Sequence, residues 1–168
     1  IDIASVAVTD AALSYSDASS GDRFELTDLN LTSGRIAAGE AVPLEGGFAF
    51  RLDPAGLSGQ VNIAVVVGFD AEAATISVAD LDIGGRVEGA LEVPATFGLE
   101  APAIRLQMDA QTADVGEINL QFMSVDLLAD VEPFSYAGDP QPSATIGIAA
   151  FSPRTLMQEL AIEAPPTA

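Results

Sequence analysis

No cysteine, histidine, tryptophan or lysine occurs anywhere in this chain of 168 residues. Without Cys there is neither a disulfide framework nor a thiol nucleophile. Without His the commonest general base and the commonest zinc ligand are both missing. The basic complement is 6 residues, all Arg, against 25 acidic ones, for a formal net charge of −19. So sparse a cationic set excludes nucleic acid, whose phosphates call for clustered Lys and Arg. It equally excludes docking on anionic headgroups through a polybasic patch. The charge favours solubility and self-repulsion and says nothing about fold. With two Tyr and no Trp, little is available for stacking on sugars. The longest strongly apolar run, Ala64–Phe69, falls far short of the roughly 18–20 residues of a membrane helix. The chain opens on Ile, with no signal peptide, and reads as a segment of a longer protein whose targeting or anchoring parts lie outside it.

What the chain does have is apolar content, close to half of all residues, and a period of two. The clearest alternation is Leu57, Gly59, Val61, Ile63, Val65, Val67, Phe69, with Ser58, Gln60, Asn62 and Ala64 between the first of them. Phe48, Phe50 and Leu52 alternate likewise, with Val42 and Leu44 upstream, and Asp53-Pro54-Ala55-Gly56 between the two runs has turn composition. A four-residue loop there sets Leu52 against Leu57, Phe50 against Gly59, Phe48 against Val61, Leu44 against Val65 and Val42 against Val67. This register puts every apolar side chain on one face, and Phe50 then covers the bare Gly59 across the strand.

Further strands are expected at about 3–9, 11–17, 23–32, 75–83, 86–93, 96–100, 103–110, 113–122, 124–131 and 144–150. Gly84-Gly85 and Gly46-Gly47 read as turn and bulge glycines. A long loop over 132–143, with Pro133, Gly138, Pro140 and Pro142, is expected to lie over the sheet edge. Ser152 before Pro153 is a good helix cap, and Leu156, Met157 and Leu160 form one face of a helix over 153–161. The fold class is therefore all-β: an antiparallel meander, curved or folded over, sandwich-like or an open groove, in one domain over 1–168 with one short C-terminal helix.

A weak repeat recurs at Phe24–Leu31, Ile76–Ile83 and Ala113–Leu120, each of the form apolar, x, apolar, x, acid, apolar, x, apolar. The apolar parity flips at the acid. A β-bulge or bend at Asp28, Asp80 and Glu117 would restore a single apolar face.

Catalytic and metal readings find little footing. Asp80 with Asp82, or Asp126 with Asp130, could pair, but with 25 acids such pairs arise by chance and nothing supplies the pKa perturbation an acid–base dyad needs. Asp17 and Asp22, or Asp80 and Asp82 before Gly84-Gly85, match no calcium-loop pattern and read as turn residues. Asn30-Leu31-Thr32 fits a glycosylation acceptor only formally. No cofactor, metal or catalytic residue is expected. The one candidate functional feature is the apolar ladder of Phe48, Phe50, Leu52, Val61, Ile63, Val65, Val67 and Phe69, either ordinary core or the lining of an open groove for acyl chains.

Three stretches together resemble the AsmA family. They are Val6-x-Val8-x-Asp10-Ala11-Ala12-Leu13-x-Tyr15-x-Asp17; Phe24–Arg35 followed by Gly39–Leu44; and Phe151–Ile162 followed by Pro165-Pro166-Thr167-Ala168. Order and spacing match over nearly the whole chain, with the specific motifs at both ends, although Ala11 and Ala161 stand where the family usually has Gly. The resemblance implies a bacterial periplasmic module tethered to the inner membrane in the full-length protein, linked to outer-membrane assembly and lipid homeostasis. It implies phospholipid acyl chains or other envelope proteins as partners, and no active site. A structural or protein-interaction sandwich with no lipid binding of its own is the alternative, and a calcium- or carbohydrate-binding sandwich a third reading.

Overall fold

The computed structural model describes residues 2–89 and 91–162. The strands are, in order, β1 (Asp2–Ile3), β2 (Ala7–Ser16), β3 (Arg23–Ser33), β4 (Ile36–Ala37), β5 (Val42–Asp53), β6 (Leu57–Asp70), β7 (Thr75–Glu88), β8 (Ala95–Gln107), β9 (Thr112–Asp114), β10 (Gly116–Phe122), β11 (Val125–Val131), β12 (Phe134–Ser135) and β13 (Ala144–Ile148), followed by helix α1 (Pro153–Glu159). An 11-stranded antiparallel meander runs β13-β11-β10-β8-β7-β6-β5-β3-β2, with β9 added to β8 and β12 to β9. β1 and β4 form a separate ribbon. The sheet is not closed into a barrel, and substantial contacts run only between strands adjacent in it. The expected antiparallel meander with one short helix is what is seen, in its open rather than its two-layer form.

An open layer leaves a large surface. A compact monomer of 17.2 kDa exposes roughly 7,800 Å², whereas this chain exposes 11037 Å². The side chains carry the same message. Among the described residues only Ala95, Ala101, Ala113 and Ser33 are buried, and no large side chain is. Apolar groups pack sideways, against cross-strand neighbours on their own face.

The β5–β6 hairpin has the register expected from its alternation, pair for pair: Leu52 with Leu57, Phe50 with Gly59, Phe48 with Val61, Leu44 with Val65 and Val42 with Val67. The Phe50 ring lies over Gly59, where an added Cβ would come within 2.8 Å of Phe50 Cε1. Phe97 treats its partner Gly85 in the same way, at 2.8 Å from Cε1.

Two of the three expected bulges are present. In β3 the register against β5 shifts between Thr27 and Asn30, so Asp28 and Leu29 stand opposite Phe48 alone. In β7 it shifts against β6 at Val65, which faces both Asp80 and Leu81. Asp28 (φ 54°) and Asp80 (φ 51°) are left-handed, a conformation Asp tolerates better than most residues. Pro102 lies across from Asp80, where the irregularity accommodates a residue with no N–H in a central strand. The third break falls one residue before Glu117, at Gly116 (φ 63°), because glycine adopts that conformation without a Cβ clash; the expected strand 113–122 is accordingly divided into β9 and β10.

A fourth bulge was not expected. Asp10 (φ 50°) is the extra residue in β2, so 3–9 and 11–17 are not two strands; 7–16 is one irregular strand. Asn30 joins two of these bulges: its Oδ1 accepts from Asp10 N at 3.1 Å and its Nδ2 donates to Asp28 O at 2.9 Å.

Other boundaries also move. The segments 75–83 and 86–93 merge into β7, which ends at Glu88, and 96–100 and 103–110 merge into β8. Gly84-Gly85 and Gly46-Gly47 are not turns. They lie mid-strand, and neighbours come close at Gly46, Gly47 and Gly85, though not at Gly84: a Cβ on Gly46 would meet Asn30 O at 2.5 Å. The 132–143 segment lies along the outer edge of β9. It sends β12 to pair with β9, and Tyr136 donates from its N to Gln111 O at 2.8 Å. Helix α1 ends at Glu159, short of the expected 161, and Ser152 caps it by accepting from Thr155 N at 3.3 Å.

Three substitutions test this architecture. Gly59→Ala should lower the urea-derived stability by about 1–3 kcal/mol, through overpacking against the Arg86 carbonyl and the Phe50 ring. Gly84→Ala, whose Cβ would meet nothing closer than Phe97 O at 4.0 Å, should be neutral or stabilising by about 0.5 kcal/mol. Asn30→Ala should cost about 1 kcal/mol in the same assay, through the loss of both inter-bulge bonds.

Candidate functional site

Register alone assigns the faces, because directly opposed residues in a sheet share one. Across nine strands a single rung reads Val8, Leu31, Gly46, Ile63, Ile83, Leu99, Leu120, Leu127, Ile148. Every member but the glycine is a large aliphatic. The adjacent rung, on the opposite face, reads Ala7, Thr32, Glu45, Ala64, Asp82, Glu100, Asn119, Leu128, Gly147. One face of the layer is apolar from edge to edge, and the other is polar and acidic.

The eight ladder residues proposed from the sequence all lie on the apolar face. Phe48, Phe50, Leu52, Val61, Ile63, Val65 and Val67 are partly buried, and Phe69 is 54% exposed. Sequence reasoning stopped at this hairpin and missed its continuation. The Phe48 rung runs on through Val61, Gly85, Phe97, Phe122 and Val125. The Phe69 rung runs on through Ile76, Leu106, Ala113 and Phe134. The signal was in the chain, since Phe97 and Leu99 alternate as the hairpin does. Only the pairing order, which lies outside any one segment, joins them.

The polar face holds the charges. Arg23 pairs with Glu25, Arg51 with Asp53 at 3.2 Å and Arg86 with Glu88 at 3.2 Å, each Arg with the acid two residues on, on the same face of its own strand. Arg35 bridges Asp2 at 2.8 Å and Glu40 at 3.4 Å. All are exposed pairs of small energetic weight, but they leave four of the arginines already facing carboxylates. Three glycines, Gly47, Gly84 and Gly98, share a rung with Asn30, Asn62 and Gln121 and form a shallow polar trough.

The candidate acid pairs do not assemble into a centre. Asp80, Asp82, Glu100 and Glu117 rim one open hollow, yet among the described residues no group of three carboxylates is placed to hold a metal ion. Asp17 is a turn residue, accepting from Ser19 Oγ at 2.7 Å and from Ser19 N at 2.8 Å. Those bonds, the hydroxyl first, hold its carboxyl below the ordinary 3.8. The Arg35 guanidinium does the same for Asp2. Among the described residues no helix is long and apolar enough to cross a membrane.

No protein-family model matches the chain, and no curated protein or solved structure is detectably similar to it.

Two measurements check the site. Nile red, a neutral dye chosen because this acidic protein repels anionic probes, should fluoresce with the native protein at neutral pH, and Ile63→Asp or Val65→Asp should reduce the signal while the far-ultraviolet spectrum is kept. A depressed folded-state pKa gives stability that is present above the unfolded value and lost as pH falls through the folded one. In an NMR titration Asp17 should therefore have a midpoint below 3.8, and Ser19→Ala should raise it.

Proposed function

We propose that this chain is a non-catalytic periplasmic module of an inner-membrane-tethered, AsmA-like protein, one that serves lipid transport and outer-membrane assembly by presenting its apolar face to acyl chains. The observation carrying this reading is the uncovered apolar rung that crosses nine strands. Soluble monomers rarely expose apolar patches beyond a few hundred Å² unless the patch binds something. The motifs at the two ends of the chain support the family reading.

The dimensions suit an acyl chain. The 14 residues of β6 span about 46 Å, and one acyl chain spans half a bilayer core, about 15 Å. A chain lying on an open face is covered on one side, so each CH2 gains about half of the roughly 0.8 kcal/mol of full burial. Headgroups would stay in water. No bond is made or broken; apolar burial drives the exchange.

The alternative is a scaffold that binds protein and no lipid of its own. It draws on the outer edges of β2 and β13, which pair with no further strand among the described residues.

One experiment separates the two. Delipidated protein is incubated with phosphatidylcholine vesicles, re-isolated by size exclusion and extracted for mass spectrometry. Stoichiometric lipid is expected, and Val65→Asp should abolish it without unfolding the chain. Anionic phosphatidylglycerol vesicles should donate less at low salt than at 0.5 M, because charge repulsion is screened there. A well-folded protein that returns no lipid refutes the transport reading and leaves the scaffold.

A further inference from the structure

The two edges of the sheet are built differently. On β2 the bulge at Asp10 breaks the register against β3, and Asp10 itself puts a charge on the edge. Bulges and charges are the usual means by which a sheet discourages strand addition. β13 has neither. Ala144-Thr145-Ile146-Gly147-Ile148 holds unbroken register with β11, from Val131–Ala144 to Leu127–Ile148, and contains no charge and no proline. All five residues are exposed, Ile146 at 69% and Ile148 at 63%.

The hydrogen-bond phase shows what that edge offers. Ala149 N donates to Asp126 O and Glu132 N to Ser143 O, both at 2.9 Å. Odd-numbered residues of β13 thus exchange bonds with β11, and alternation turns the N–H and C=O of Ala144, Ile146 and Ile148 outward. Among the described residues no strand pairs with them. After β13 the chain leaves the edge: Glu159 of α1 accepts at 3.1 Å from Ser124 N, in the β10–β11 turn.

An added strand would meet different chemistry on its two sides. Toward the apolar face it would sit beside Ala144, Ile146 and Ile148. Toward the polar face it would pass Thr145 and Gly147, behind which stand Asp130 and Leu128 of β11; Asp126 lies one same-face position further on, behind Ala149. Two strand spacings, about 9.6 Å, separate it from β11, and Gly147 has no side chain in the way. A Lys or Arg extending over Gly147 could reach diagonally to Asp130 or Asp126, on either side of Leu128; neither forms an ion pair among the described residues, and Asp126 Oδ1 accepts from Gln121 Nε2 at 3.1 Å. A second copy of this chain is a poor occupant, since it carries −19 and no Lys.

We infer that β13 is a docking edge for an extended segment of another protein in which apolar residues alternate with Lys or Arg. Backbone bonds would supply affinity, and the two faces the choice of side chains. The inference is independent of lipid binding.

The test uses fluorescein-labelled Val-Lys-Val-Lys-Val-Lys-Val and its composition-matched block peptide Lys-Lys-Lys-Val-Val-Val-Val, read by anisotropy. The alternating peptide should bind at least tenfold more tightly. Ile146→Pro should remove that preference: it deletes an outward N–H not used by the β11–β13 ladder, so the fold is retained. Asp126→Asn with Asp130→Asn should weaken binding and flatten its salt dependence. Should Ile146→Pro not fold, hydrogen exchange on the unaltered protein decides, with the Ile146 and Ile148 amides gaining protection on adding the alternating peptide. Equal binding of the two peptides, or unchanged Ile146 and Ile148 exchange, overturns the proposal as diffuse charge attraction. A dimer in sedimentation equilibrium that Ile146→Pro dissolves overturns it in favour of a second copy.

Discussion

Parity governs this molecule. A sheet that folds as one layer has no second layer against which a misplaced apolar side chain can be buried, so all strands must send their apolar residues to the same side. A slip of one residue anywhere transfers the rest of that strand to the wrong face. Uninterrupted alternation over 11–14 residues would meet this condition only in a flat, regular sheet. β3 and β7 instead change apolar phase midway, and the bulges at Asp28 and Asp80 absorb the change. In β8 the change falls at Pro102, across from Asp80, so that Phe97 and Leu99 before it and Ile104 and Leu106 after it keep company with apolar partners on β7. The bulges are thus conditions for having one apolar face at all.

That face, left uncovered, constrains everything else about the chain. Lateral contacts such as Phe50 over Gly59 and Phe97 over Gly85 bury ring edges without a second layer. They stiffen the sheet and recover part of the apolar burial that a closed sandwich would have. The acidic rung on the reverse side and the net charge of −19 oppose association between copies. Charge repulsion acts over a Debye length, about 8–10 Å at physiological salt, and so opposes the approach of a second copy while exerting no such force on a neutral or zwitterionic ligand. Apolar face and acidic face are two halves of one solution to exposing a hydrophobic surface in water.

How much of this was legible depended on the range of the interaction. The β5–β6 hairpin could be read pair for pair, because its turn, its alternation and the Phe50–Gly59 contact are all local. The Asp28 and Asp80 bulges were legible because a phase change inside a strand leaves a mark in the order of apolar residues. The third break moved from Glu117 to Gly116 because backbone preference outweighed the repeat: glycine takes positive φ at no steric cost. Asp10 left the same mark, since Val6 and Val8 before it and Leu13 and Tyr15 after it stand in opposite phase, but the change falls beside the small residues Ala11 and Ala12 and reads as a gap between two strands rather than a bulge within one. Gly84-Gly85 misled, as glycine pairs ordinarily signal turns; the approach of Phe97 from β8 accounts for Gly85 in mid-strand, and nothing in the structure requires a glycine at 84. The eight ladder residues were found as one hairpin's face. That they belong to a nine-strand surface follows from the order of strands, a property of the whole chain.

The same reasoning distinguishes the two exposed features of the sheet, which differ in kind. The apolar face offers area without direction, since it has no unsatisfied polar groups and any alkyl chain that covers it gains in proportion to contact. The β13 edge offers direction with little area, since its outward N–H and C=O groups accept only an extended backbone in the right phase. Substitutions should therefore separate them. A carboxylate at Val65 alters the face and leaves the edge intact, whereas proline at Ile146 alters the edge and removes one side chain from the rim of a surface nine strands wide. The two proposed occupants, a lipid-like ligand and a peptide strand, would therefore not compete, because one would use the side chains of the sheet and the other the backbone at its margin.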